Sequence, residues 1–378
     1  MRKTFLALVA GLLGLTAPAE AAVLDCPLRD APFSADSPLV DILLNPQASA
    51  VLEQHQPGVT TRLPPNMRST KAPTFAAILS PRQAMSMFSG SRDEGKLAAV
   101  DKALRAIPVT AADRVARCER YDDERPRFAL PRGKGAPKLL LFEKMTGFRD
   151  TPSVEAAKAM FQDLARKNGW ALVVTDKAGV MNPAQLRQFD AVIWNNVSGD
   201  VLTLPQRRAF EQYIQAGGGY IGIHGSAGDF IYFWDWYPDT LIGARFVGHP
   251  ADPQFQDAAV RIEGNPAGIG ASLAPGWTMN DEWYSFRASP RSSSQVIATL
   301  DESTYKPLGR GGQQLAMGDH PIVWSRCVGN GRSFYSAIGH RREVYADPRH
   351  QRLIEDAVRW AAGKGATRCR AGQQVPAR

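Results

Sequence analysis

The 378-residue chain holds few of the residues that build cysteine-based sites: four cysteines, Cys26, Cys118, Cys327 and Cys369, with no C-x-x-C pair among them. That spacing argues against a cysteine-ligated zinc site and against a dithiol redox motif. Histidine is also scarce, with six residues to share among any acid, base or metal-binding duties. Beyond the first 22 residues there is no long uninterrupted apolar run, so no membrane-spanning helix is expected. A Walker phosphate loop is missing as well. The glycine-rich run 217–222 follows a helical pattern and precedes a strand, the reverse of the order a dinucleotide loop requires. Internal repeats and low-complexity tracts are absent. The net charge of +8 is spread along the chain rather than gathered in a block, which suits a solvated basic surface better than a nucleic-acid site.

What the chain does have begins with an export signal over residues 1–22. Arg2 and Lys3 precede an apolar stretch from Phe5 to Leu15, and Ala19-Glu20-Ala21 forms a small-x-small cleavage site with the cut expected after Ala21. Asp25 precedes Cys26, unlike the residue before a lipid-modified cysteine. The expectation is a periplasmic or secreted protein that does not insert in a membrane. In an oxidising compartment the cysteines read as two disulfides, most simply Cys26 to Cys118 and Cys327 to Cys369, one of three available pairings.

Residues 23–107 read as a small helical module, with helix starts at Ser37-Pro38, Ser80-Pro81 and 91–94 and apolar residues at helical spacing over 96–107. It carries no catalytic grouping, so stabilisation or docking of a protein partner is its expected role. Residues 108–136, with Pro126, Pro131, Gly133, Gly135 and many charges, read as an exposed connector. From 137 to 365 strands and helices alternate: strands at 138–142, 170–175, 191–194 and 220–223, with helices starting at Thr151-Pro152, Asn182-Pro183 and Thr203. Strand, helix, strand repeated in this way specifies an α/β fold with a doubly wound parallel sheet. Later strands are expected at 259–262, 295–300, 322–327 and 333–338, the last two joined as a hairpin at Gly329-Asn330-Gly331, before a closing amphipathic helix at 348–362 and a tail at 366–378.

Ligands of a parallel sheet bind beyond the carboxyl ends of its strands. That rule gathers Glu143 and Lys144 after the first strand, Asn195 and Asn196 after the third, His224 after the fourth and His340 after the hairpin. His224 sits in GGGYIGIHGSAGDF (217–230), where a strand breaks sharply between Gly222 and Gly225. A G-x-nucleophile-x-G elbow presents Ser or Cys in such a place; an imidazole is instead suited to metal ligation or proton transfer. Two imidazoles and a carboxylate form a common divalent-metal set, here His224, Glu282 and His340, with zinc or a similar ion as the cofactor. The plainer alternative has both histidines bonded to backbone in a polar cleft.

Asp319-His320 reads as an oriented acid/base pair, with Glu143 as a further catalytic candidate. His249 before Pro250 reads as structural, and His55 and His350 as helix-surface residues. Aromatic residues crowd 230–237 and 283–286, and Trp236, Trp283 and Tyr284, with Lys144 and Asn196, are candidate contacts for a sugar, whose C–H faces are apolar and whose rims are hydroxyls. Ser226 lacks an elbow of its own, which makes a serine triad a poor reading.

Several separated motifs in order resemble the ThuA-like (trehalose utilisation) family: LLLFEKMTGFRDTPSVEA at 139–156, NVSGDVLTLPQRRAFEQYIQAGGGYIGIHGSAG at 196–228, GHP at 248–250, DEWYSF at 281–286, ATLDESTY at 298–305, GDHPIVW at 318–324 and GRSFYSAIGH at 331–340. The resemblance spans about 137–363. It implies a flavodoxin-like, class I glutamine amidotransferase-like fold and a role in carbohydrate catabolism. In that superfamily the G-x-C-x-G cysteine is the nucleophile; His224 stands there in this chain and Gly339-His340 matches the region of the catalytic histidine, so cysteine amidotransfer is excluded. ThuA-like domains tend to read G-F/Y-R-H after the first strand, whereas this chain has Gly147-Phe148-Arg149-Asp150, a change of charge near the site. The resulting expectation is a metal-dependent enzyme acting on a keto-glycoside or disaccharide by hydrolysis or elimination, with a non-catalytic carbohydrate-binding or scaffold protein of the periplasm as the rival.

Overall fold

The central sheet starts from β1 (Lys138–Phe142), β2 (Ala171–Thr175), β3 (Ala191–Asn195) and β4 (Gly219–Ile223), short and dominated by apolar residues. β3 and β4 are buried along their whole length and β1 along all but its first residue, because helices cover both faces of the sheet and remove any need for alternation. A computed structural model describes residues 23–89, 93–131, 135–364 and Cys369. The expected export signal therefore lies outside the described residues, as does most of the tail.

Helix Thr151–Asn168 joins β1 to β2. Asp150 caps it by accepting from the Ser153 amide, Pro152 occupies its first turn and Gly169 ends it at φ +68°. Helix Leu204–Gln215 joins β3 to β4 behind a Thr203–Gln206 capping box. Beyond these lie β5 (Phe246–Gly248), β6 (Phe255–Ile262), β7 (Gly276–Glu282), β8 (Ser285–Phe286), β9 (Gln295–Asp301), β10 (Pro321–Val328) and β11 (Gly331–Ser336). The nine-stranded sheet has the order β2-β1-β3-β4-β11-β10-β9-β6-β7, while β5 pairs only with β8. The first five strands are parallel and the rest antiparallel.

β7 stands five strands from β4, which at the usual spacing of about 4.8 Å would be some 24 Å in a flat sheet. Glu282 at the end of β7 nevertheless comes within 3.3 Å of His224, just after β4. The antiparallel half thus curls until its edge returns over the carboxyl ends of the parallel strands.

The helical module has its own core, including Phe33, Leu39, Ile42, Leu52, Val100 and Leu104. The stretch expected as an exposed connector is different: it contains helix Ala111–Cys118, opened by a Thr110–Asp113 capping box. Its charges are used internally. Arg117 is buried and donates to the carbonyls of Leu28 and Ala31, Arg120 pairs with buried Asp41, and Asp122 accepts from Lys144 and the Ala178 amide. Disulfides join Cys26 to Cys118 and Cys327 to Cys369. Among the described residues, no helix is long and apolar enough to cross a membrane. The module packs on the α/β part near the carboxyl end of β1, where the Thr74 amide donates to the Thr146 carbonyl (3.0 Å) and the Phe75 and Phe148 rings stack at 4.7 Å.

Candidate functional site

His224 opens a tight 3-10 turn with φ +36°, and Asn196, after β3, has φ +54°. Left-handed backbone at residues with side chains costs about 1–3 kcal/mol and persists where the surroundings enforce it. The surroundings here are specific. The Gly225 amide donates to the Asn196 side chain, and a Cβ at Gly225 would lie 3.2 Å from the Asn196 carbonyl oxygen. Gly339, before His340, has φ +148°, and a Cβ there would stand 2.5 Å from the Tyr345 hydroxyl and 3.0 Å from the His224 Cβ. Glycine is therefore required at 339 for the two histidines to approach.

The His224 Nδ1 lies 2.6 Å from the Ala337 carbonyl oxygen. A carbonyl only accepts, so Nδ1 carries a proton and, in the neutral ring, Nε2 presents a lone pair. That Nε2 faces Glu282 Oε2 at 3.3 Å and His340 Nδ1 at 3.3 Å, while His340 Nδ1 lies 2.9 Å from the same carboxylate oxygen. The ligand atoms of His224, Glu282 and His340 all fall within 4.8 Å of one another. Glu282 is only 2% exposed. Burial pushes its carboxyl up, but hydrogen bonds from His224 and His340 and the nearby His249 outweigh that and hold it well below the usual range. Burial likewise pushes His340 down, and the Glu282 contact reverses the direction.

Neighbouring groups lock this arrangement. Asp281, fully buried, accepts from the amides of Gly339 (2.7 Å) and Arg341 (2.9 Å), fixing the loop that carries His340. The Tyr335 hydroxyl donates to the His224 carbonyl, and the Tyr284 ring lies 4.1 Å from the His224 ring. His249 Nδ1 is 3.2 Å from Glu282 Oε1, and the Gln254 amide donates to that oxygen.

His224, Glu282, His340, His249 and Gln254 floor a cavity of about 320 Å³, with Asn196, Ser198 and Asp229 on its polar side. Asp229 accepts from the Ser198 hydroxyl and the Gly199 amide, both at 2.6 Å. Burial pushes its carboxyl up to about 7, the range suited to general acid/base work near neutral pH.

Of the candidate site residues from the sequence, the cavity takes His224, Glu282, His340, Asn196 and Tyr284, and it also takes His249, read there as structural, and Asp150. Glu143 and Lys144 line a separate depression with Arg149, Lys158 and Asp176. The reason is the path of the chain: the Glu143 amide still bonds Thr175 beside β2, and only at Thr146 and Gly147 does the chain bond Ser198 beyond β3. Glu143 is held by Asn195 and Lys158, and Lys144 by Asp122. Asp319 pairs with Arg291 and Ser289, and buried His320 bonds Glu302 and the Tyr284 carbonyl, so neither lines the cavity. Trp283 is fully buried with its indole N–H on the Gln256 carbonyl, and Trp236 stacks on Trp234 away from the cavity. His350 is buried rather than on the helix surface, and Asp150, the departure noted after the first strand, caps a helix and also lines the cavity. His249, Gln254 and Asp229 were not assigned to the site from sequence, whereas Asp281 was grouped with Glu282 as a source of carboxylates. Asp229 lies five residues after His224 in the same loop, a proximity that could have flagged it.

The profile of the ThuA family, described as trehalose utilisation, matches residues 138–361. The chain belongs to the ThuA family. A ThuA-like protein from Bacteroides uniformis, of known crystal structure, is 27% identical with a TM-score of 0.52, covering 63% of this chain and 97% of its own. Another from Parabacteroides merdae is 16% identical with a TM-score of 0.46, covering 64% and 94%. No curated protein matches the chain. ThuA membership suggests a carbohydrate-related role. His224, Glu282 and His340 all fall inside the ThuA match, whereas Phe75 and Ile78, which also line the cavity, come from the helical module before it.

Proposed function

We propose that this protein is an exported, metal-dependent enzyme that cleaves the glycosidic bond of a keto-glycoside or disaccharide by hydrolysis or elimination. One observation carries the metal: with Nδ1 committed to the Ala337 carbonyl, a neutral His224 ring turns its Nε2 lone pair toward a buried carboxylate oxygen 3.3 Å away. Two lone pairs facing one another repel; a proton on Nε2, which would make the His224 to Glu282 hydrogen bond, relieves that repulsion, and so does a divalent cation held by His224, Glu282 and His340, which the second imidazole on the same carboxylate oxygen favours. Two nitrogens and one oxygen suit zinc or a similar ion with a position left for substrate, and such an ion would supply Lewis-acid polarisation of a sugar carbonyl or hydroxyl.

The remaining work falls to the chain itself. The Ala337 carbonyl fixes the His224 tautomer, and Asp281 fixes the His340 loop. Asn196 Oδ1 and Ser198 Oγ, which already accept from the Gly225 and Phe148 amides, each keep a lone pair that can accept from a substrate hydroxyl. Asp229 takes the proton-moving role expected of Asp319 or His320. As base it removes the proton from the carbon beside a keto group; that C–H pair forms a C=C bond as the glycosidic C–O bond breaks, and the departing oxygen takes a proton from solvent. Water added across the double bond then gives the product of hydrolysis. The two disulfides are compatible with an extracellular site of action, which supports export.

The test is turnover of keto-glycosides by metal-replete protein beside Asp229→Asn. The expected result is a rate loss of roughly 100-fold or more with metal content retained. Unchanged turnover removes Asp229 from the mechanism. Sugar binding that survives metal stripping, without turnover in any variant, identifies a carbohydrate-binding protein instead.

A further inference from the structure

Seven large apolar residues are exposed among the described residues, and three of them, Phe148 (37%), Phe230 (40%) and Phe255 (38%), stand on the same cavity. An apolar concentration of this kind on a soluble surface marks a contact site. The helical module completes it: Phe75 stacks on Phe148 with rings 29° from parallel, and Ile78 lines the cavity beside it. The module is fixed there by the Thr74 to Thr146 backbone bond, and the Gln83 side chain reaches the Phe230 carbonyl at 3.5 Å.

The cavity is therefore two-sided. Its floor presents imidazoles, carboxylates and an amide; its module side presents Phe75, Ile78, Phe148 and Phe230, which offer no hydrogen-bonding side-chain atom. A free disaccharide carries hydroxyls at both ends, and hydroxyls brought against that wall would lose water without gaining a partner. The tryptophans of the chain do not line this cavity, and the Tyr284 ring is committed against His224.

We propose that the site takes a glycoside with a planar apolar aglycone, the sugar on the polar floor and the aglycone against the Phe75–Phe148 wall, and that Phe75 of the helical module determines this specificity. This rests on the reading of the floor as a sugar site. The module is then one wall of the binding site.

The experiment measures binding of methyl and 4-nitrophenyl glucosides, in both anomers, and of trehalose and 4-nitrophenol, to the full mature protein by titration calorimetry. The 4-nitrophenyl glucoside is expected to bind roughly tenfold or more tighter than the methyl glucoside, as burial of one aromatic ring provides. Phe75→Ala and, independently of module packing, Phe230→Ser are each expected to shrink that ratio severalfold, while Val115→Ala, an exposed residue away from the cavity, keeps it. Equal affinity for aryl and methyl glucosides, or trehalose binding above both, overturns the specificity and leaves the sugar reading standing. Binding of 4-nitrophenol as tight as that of its glucoside leaves an apolar wall but removes the sugar floor. Failure of every probe to bind overturns both.

Discussion

The parallel and antiparallel halves of the sheet contribute to the site in different ways. β3, β4 and β11 deliver their residues by topology: each strand ends at the same edge, so Asn196, His224 and His340 meet because parallel strands share a direction. The antiparallel half has no such edge. It supplies Glu282 by curling five strands around until β7 returns over the site. The parallel half thus sets up imidazoles, and the curled half supplies the carboxylate they face.

Glu282→Gln breaks this comparison most severely. It keeps the shape of the curled half but removes the charge that His224, His340 and His249 all face, so metal affinity is expected to fall by roughly 100-fold or more, read by competition with a chromogenic chelator. Retained affinity would mean that the parallel half binds alone. Trp283→Ala tests the curl itself: a fully buried indole next to Glu282 should cost about 3–5 kcal/mol in denaturant unfolding, because its removal leaves a cavity. A cost below about 1 kcal/mol would show that Trp283 does not hold the curl.

His350 sharpens the comparison from the helical layer. It is buried with Nδ1 on the Val344 carbonyl, and burial pushes its pKa down to about 4. The unfolded chain binds a proton near pH 6.5 and the folded chain does not until about 4, so stability present above pH 6.5 is lost as pH falls through that window, by roughly 3 kcal/mol at most. His350→Gln should flatten this acid limb in unfolding curves recorded from pH 7 to 4; an unchanged limb assigns it to other groups. Asp319→Asn should do least. Its partner Arg291 and its own carboxyl are each about a third or more exposed, so a stability change within about 1 kcal/mol and unchanged metal content are expected. Loss of metal in that variant would return Asp319 to the site.

Legibility followed the same division. The parallel half was readable because its strands are unbroken apolar runs between capped helices, and the carboxyl-edge rule then placed His224 and His340. β7 was not readable as a strand: GWTMNDE mixes burial and exposure without a strong apolar signal, and Glu282 was found by its residue type alone. Trp283 was assigned to a cleft because single aromatic residues do not reveal which side of a curled sheet they face. His350 could have been placed, since Leu353 and Ile354, three and four residues on, share its helical face and are buried. The contribution of Phe75 depends on tertiary docking of a separate module, which no local pattern in either segment encodes.

The most direct test of the shared site is bound metal in the purified mature protein, measured by elemental analysis beside a His224→Ala, His340→Ala double variant. The account predicts near-stoichiometric divalent metal in the parent and its loss in the variant. A parent that takes up no divalent metal when supplied with zinc, or a variant that binds it as well as the parent, would contradict it.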